Sequence, residues 1–285
     1  TFFATAGSIV IAGATPVFVD VGTDYLMDVG KIERAITRRT KAIIPVHWTG
    51  NVCDMDAIGR IAKKHNLFIV EDACQAIDAS YRGKKTGSFG DTGAFSMHPL
   101  KNLNVWGDGG MITTNSLELY TKLLLMRNHG LVDRNTSALY AYNARLSTLQ
   151  AVVALDVLRT LPGITKQRIA LARFYDKEFG RIPQITLPPR SPEKKQVFHL
   201  YIVQAKRRDG LLAWLVRHGV DAKIHYPLPL HLQPASKHLG LSYKKGDFPV
   251  AEAQATSIIS LPLHQHMTMR EAKQIVDAVK AFYAQ

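Results

Sequence analysis

Apolar and polar positions along the first half of the chain fall into blocks that predict strand, helix, strand. Residues 8–12 form an apolar, helix-like run stopped by Gly13, and residues 17–19 follow Pro16 as a short strand ending at Asp20. Asp28 is placed to cap a helix over 28–37 with Ile32, Ala35 and Ile36 on one face, after which 42–46 predicts the next strand. Asp54 caps a further helix that turns Met55, Ile58, Ile61 and Ala62 inward, ahead of a buried strand at 67–70. Strands and helices alternating at this spacing predict a parallel sheet with right-handed crossovers, and ligands of such sheets bind beyond the carboxyl ends of the strands. His47-Trp48 and Glu71-Asp72 both fall at such ends. His47 and Trp48 either edge a pocket or pack in the core.

Two more apolar runs, 93–97 and 111–114, bracket a polar stretch that holds Ser96, Lys101 and glycines 107, 109 and 110. A helix over 116–126 is expected to pack Leu119, Leu123 and Met126, with Arg127-Asn128-His129-Gly130 as its stop. Ser147 caps a helix over 148–160; Leu161-Pro162-Gly163 interrupts it, and a second helix runs to about 179 with Ile169, Ala172 and Phe174 among its buried positions. Prolines at 183, 188, 189 and 192 mark the passage into a smaller α+β unit, with strands at 197–205 and 220–224 around a helix over 209–218. A final helix over 268–283 carries Ala272, Ile275, Val276 and Val279 on its apolar face. The expected division is a large domain over 1–162, then a linking helix and small carboxyl-terminal domain over 163–285.

Composition adds limits. At 285 residues with 46% hydrophobic and 21% charged positions, the chain is an ordinary globular one with ample core material. Its apolar runs fall well short of the ~20 residues that cross a bilayer, so no membrane role and a cytoplasmic location are expected. Cys53 and Cys74 form no C-x-x-C pair, and two cysteines in this length argue against a disulfide framework. A net charge of +13 points to small anionic substrates or to nucleic acid. The basic residues are scattered pairs and triplets such as Arg38-Arg39, Lys84-Lys85 and Lys206-Arg207-Arg208, which read as solvated faces and argue against nucleic acid.

The candidate chemistry lies in the stretch over 67–114. Asp72 ends one apolar run, Ser96-Met97-His98-Pro99-Leu100-Lys101 ends the next, and a glycine turn follows. An acid, a hydroxyl and a lysine at converging strand ends suit pyridoxal phosphate, whose aldehyde takes a lysine amine and whose pyridine nitrogen faces a carboxylate. Lys101 is the candidate amine, Asp72 the ring-nitrogen partner and Ser96 a phosphate contact; Gln75 lies three residues beyond Asp72, within reach of the ring. Taken singly, each also reads as a surface lysine, a turn acid or a loop hydroxyl.

EDACQA, GD-x-GAFSMHPLKNL and GDGGMITTN together resemble the DegT/DnrJ/EryC1/StrS family of pyridoxal-phosphate-dependent sugar aminotransferases. The resemblance implies an aspartate aminotransferase-like α/β fold of type I, with a parallel-rich sheet domain and a small α+β carboxyl-terminal domain. It also implies transfer of an amino group, commonly from glutamate, to a keto-sugar carried on a nucleotide. Motif for motif it assigns Asp72, Gln75, Ser96 and Lys101 the roles above; relatives that dehydrate carry histidine at the lysine position. Asp108 stands where the family usually has Glu. Thr1-Phe2-Phe3-Ala4-Thr5 resembles the family's T-F-x-A-T segment, whose aromatic stacks on the cofactor; Phe2 matches it, though alone it reads as a packed core residue. In the family that segment follows a phosphate-binding Gly-Ser/Thr turn, so 1–285 is expected to be part of a longer working enzyme. The segment from Asn143 to Ala151 resembles G-x-N-x-R-x-x-x-x-Q-A, with Ala141 at the glycine, which implies a homodimer in which Asn143 reaches the partner's phosphate. His225-Tyr226-Pro227 with His231 resembles H-Y-P-x-P-x-H at the sugar site; two histidines also suggest a metal, though no third ligand clusters with them. His129 either approaches substrate or caps a helix.

Overall fold

The structure, a computed structural model, describes residues 2–285; Thr1, the first residue of the T-F-x-A-T segment, lies outside them. In chain order the helices are α1 (Phe3–Ile11), α2 (Met55–His65), α3 (Leu117–Met126), α4 (Thr148–Phe179), α5 (Arg208–Arg217), α6 (Pro249–Ser257) and α7 (Met269–Tyr283). The strands are β1 (Ala42–Ile43), β2 (Phe68–Asp72), β3 (Ser80–Tyr81), β4 (Lys84–Lys85), β5 (Thr92–Ser96), β6 (Gly110–Thr113), β7 (Ile185–Thr186), β8 (Lys194–Lys195), β9 (Tyr201–Ala205) and β10 (Ile258–Leu261).

The site-bearing sheet has the order β1-β2-β5-β6. β1, β2 and β5 run parallel, with Asp72 opposite Ala94, and β6 returns antiparallel beside β5. The crossover α2 forms as predicted: Asp54 accepts the Ala57 N–H, and Met55, Ile58 and Ala62 are buried. A second sheet, β10-β9-β7, packs with α4, α5 and α7 in a core built on Leu171, Tyr175, Phe179, Tyr201, Leu215 and Val276. The core beneath the first sheet also takes in Val197, Ile202 and Ile258 from the second half of the chain. Every predicted apolar position of α7 is buried, and Thr268 and Glu271 close a reciprocal capping box at its start.

Five expectations fail: α3 forms but buries none of Leu119, Leu123 and Met126, and four others fail for tertiary reasons. Residues 17–19 form no strand; Phe18 turns to Tyr243 and Phe248, and the buried Asp20 carboxylate receives Lys31 Nζ at 2.9 Å and the N–H groups of Val250 and Ala251 that open α6. Over 28–37 there are two 3-10 turns, Val29–Lys31 and Glu33–Ala35, although Asp28 does cap the first. Residues 220–224 make only a single bridge, Lys223 to Ser260. The two helices expected around Pro162 are one helix, α4. Pro162 cannot donate its backbone bond, but its flanks are pinned: Leu161 packs with Met97, Leu103 and Val105, and the Arg168 guanidinium, one turn and a half on, donates to the carbonyls of Phe198 and Leu263.

Alternation along β2 sends Glu71 and Asp72 to opposite faces. Glu71 is fully buried and accepts four bonds: from the Gly87 N–H (2.7 Å), the Phe89 N–H (2.6 Å), the Gly90 N–H (2.8 Å) and His47 Nε2 (3.0 Å). His47 Nδ1 accepts the Cys53 N–H, so its Nε2 carries the proton and is the donor to Glu71. Burial by itself would raise the Glu71 carboxyl, but the bonds from His47, Gly90 and Gly87 outweigh it and hold the group below its ordinary value of 4.5. A depressed carboxylate stabilises the fold above its unfolded value and loses that contribution as pH falls through the folded one. Glu71→Gln turns an N–H₂ toward donors and is expected to cost about 3 kcal/mol at pH 7 in urea denaturation. The gap to wild type should narrow as pH falls below the ordinary carboxyl value of 4.5 and on through the depressed folded one, where Glu71 itself becomes protonated.

Candidate active site

Asp72 leaves the carboxyl end of β2 on the face opposite Glu71, half-buried, beside the end of β5. Its Oδ1 accepts the Cys74 N–H at 3.1 Å, and its Oδ2 accepts the hydroxyl of Thr5, from the first turn of α1, at 2.6 Å. The Cys74 thiol lies against the same carboxylate; burial first, and then Asp72, push it up to about 12.

Lys101 comes to this point on a folded loop. The His98 N–H donates to Ser96 Oγ, the Leu100 N–H to His98 Nδ1 and the Lys101 N–H to the His98 carbonyl, which closes the turn after β5. Asn102, buried, donates to the Val197 carbonyl at 3.2 Å, and Leu103 and Val105 pack with Met97 and Leu161. The Lys101 amine is thus held on a fixed backbone between the two halves of the chain. Burial draws it below its ordinary value, opposed by Cys74 and Asp72. Gly109 belongs to the same turn: a Cβ there would stand 2.7 Å from Val105 and 2.9 Å from Leu146.

Gln75 is tied through Oε1 to the Thr49 N–H at 2.8 Å, which leaves its amide nitrogen for other partners. Tyr226 stands over the amino end of α1, its ring 5.8 Å from that of Phe2 and 6.1 Å from that of Phe3. His199 is a neighbour that the sequence did not single out. Burial, then Lys101, Arg168, His225 and His98, push it well below the ordinary histidine value. It sits in the run Phe198-His199-Leu200-Tyr201, which reads from sequence as nothing more than a strand. Thr5 was also passed over, although it closes the T-F-x-A-T segment.

Other candidates are placed elsewhere. His47 is fully buried with both ring nitrogens occupied by Glu71 and Cys53, so it is not presented to a ligand; of its two readings the structure has the packed one. His231 is buried against Phe248, with Nε2 on Glu252 at 2.9 Å, and anchors its proline-rich loop to α6. His129 is exposed just past α3, with its N–H on the Tyr142 carbonyl. Asn143 is exposed beside it, and its Oδ1 accepts from Arg145 Nε at 2.9 Å. Neither bonds to the Asp72–Lys101 cluster.

Comparison with known proteins fits this geometry. A pleiotropic regulatory protein of Geobacillus stearothermophilus is 41% identical over 286 residues, which span 99% of this chain and 76% of that protein. A dTDP-3-amino-3,4,6-trideoxy-alpha-D-glucose transaminase of Streptomyces venezuelae is 39% identical over 281 residues, 98% of this chain and 74% of that one. Among solved structures, S. venezuelae DesV in complex with a ketimine intermediate superposes with a TM-score of 0.96 at 38% identity, covering 100% of this chain and 76% of DesV. The sequence profile of the DegT/DnrJ/EryC1/StrS aminotransferase family matches residues 1–280, and the chain belongs to that family.

Proposed function

We propose that the cleft between Asp72 and Lys101 holds pyridoxal phosphate and transfers an amino group from an amino acid, glutamate, to a keto-sugar carried on a nucleotide. The observation that carries this reading is the Lys101 amine, drawn toward its neutral, nucleophilic form by burial beside Asp72 at the carboxyl ends of β2 and β5. The residues present fit the cofactor: a half-buried amine, a carboxylate held by two donors, and the Ser96 hydroxyl at the adjoining strand end. When bound, the cofactor supplies an electron sink for the carbon that loses its proton.

The chain's own groups would do the rest. Lys101 is the attachment amine and then the acid and base that moves a proton at the substrate carbon. Asp72 accepts the ring N–H, Ser96 donates to the phosphate, and the Gln75 amide and the Phe2 ring border the cofactor ring. Tyr226 walls the sugar side. We further propose a homodimer in which Asn143 serves the partner's phosphate. Supporting this, α3 has no buried residue, and exposed Val10, Ile112, Leu117, Val152 and Leu155 leave apolar surface on α1, β6, α3 and the first half of α4. A regulatory protein without turnover, the reading that the Geobacillus relative's name raises, predicts cofactor binding with no amine transfer.

Borohydride reduction followed by peptide mapping should place a phosphopyridoxyl group on Lys101; recovery on another lysine sinks the assignment. Asp72→Asn should keep the attachment but slow glutamate-dependent amination by on the order of tenfold or more, since a bond to a charged partner is lost; rates near wild type refute the role of Asp72. Mixing inactive Lys101→Ala with inactive Asn143→Ala subunits should restore part of the activity, because one hybrid site regains both residues. No recovery after proven subunit exchange counts against sites shared between protomers.

A further inference from the structure

We propose that Thr5 is a positioning residue for Asp72, fixing the carboxylate orientation that a pyridinium N–H requires and coupling it to the seating of α1. The proposal rests on the reading of Asp72 given above. The Thr5 hydroxyl donates to Asp72 Oδ2 at 2.6 Å across 67 residues of sequence, within the short range of a hydrogen bond onto a charged oxygen. From the other side the Cys74 N–H holds Oδ1 at 3.1 Å. One donor on each oxygen orients the carboxylate, which keeps acceptor capacity for a further donor.

Threonine at this position is suited to the task. Inside a helix its hydroxyl commonly bonds back to the carbonyl three or four residues earlier. Thr5 stands in the first turn of α1, its hydroxyl points outward, and its branched Cβ restricts χ1. The bond is also a main tie of α1 to the molecule: the helix buries no residue, and the aromatic contacts of Phe2 and Phe3 with Tyr226 lie at its amino end. Whatever draws Asp72 toward a ring nitrogen is therefore felt at α1, and displacement of α1 removes a donor from Asp72.

The test compares Thr5→Val, which keeps the shape and loses the hydroxyl, with Thr5→Ser, which keeps the hydroxyl. The readouts are affinity for pyridoxal phosphate, the ¹⁵N shift of the bound ring nitrogen, and amide hydrogen exchange over residues 3–11. Thr5→Val should bind the cofactor on the order of tenfold more weakly and move the nitrogen signal toward that of unprotonated pyridine, while Thr5→Ser stays close to wild type in both. A wild-type nitrogen signal in Thr5→Val overturns the proposal, and if exchange in α1 has meanwhile quickened, the hydroxyl serves only to hold the helix. Equal loss in both variants also overturns it. Absence of a phosphopyridoxyl group on wild-type Lys101 would instead remove the underlying reading, and this inference with it; a normal label with an unmoved signal removes this inference alone.

Discussion

A single buried carboxylate holds the site together from behind. Glu71 gathers the N–H groups of Gly87, Phe89 and Gly90 and His47 around two oxygens with no exposure to solvent, which locks the 87–90 loop and the segment after β1 against β2. An ionised acid in that position is tolerable only because its acceptor positions are taken up; unpaired, it would cost several kcal/mol. With Glu71 fixed inward, the pleat leaves Asp72 no face but the cleft.

The cleft itself is sorted by burial. Desolvation draws Lys101 and His199 toward their neutral forms and holds Cys74 as a thiol, so all three ionisable groups are pressed toward the uncharged state. Asp72 is the member supplied with donors, by Thr5 and Cys74. That division suits a reaction needing a free amine beside a carboxylate held in a fixed orientation. The second half of the chain maintains it: Arg168 on α4 grips the carbonyls of Phe198 and Leu263 and so fixes the backbone that brings His199 to Lys101. Buried at that point, its guanidinium is lowered to about 10 by loss of water and is matched by carbonyl dipoles and Gln265.

What the sequence determined alone was whatever depends on neighbours a few residues apart. The cap at Asp54, the start of α7 at 268, the apolar faces of α2 and α7, and the strands that end near Asp72 and Ser96 are local or strictly periodic, and the motifs around Asp72, Ser96 and Lys101 were legible for the same reason. Tertiary structure decided the remainder, because the deciding partner lay far along the chain. Residues 17–19 have strand propensity but answer to Tyr243 and to the start of α6, more than 220 positions away. Pro162 reads as a break until the contacts of Leu161 and Arg168 keep α4 continuous across it. His47 and His231 look like pocket residues at strand and loop ends, and only the placement of Glu71 and Glu252 turns both inward. Thr5 and His199 stand in runs with no pattern of their own, and each acquires a role from a contact that no local rule contains.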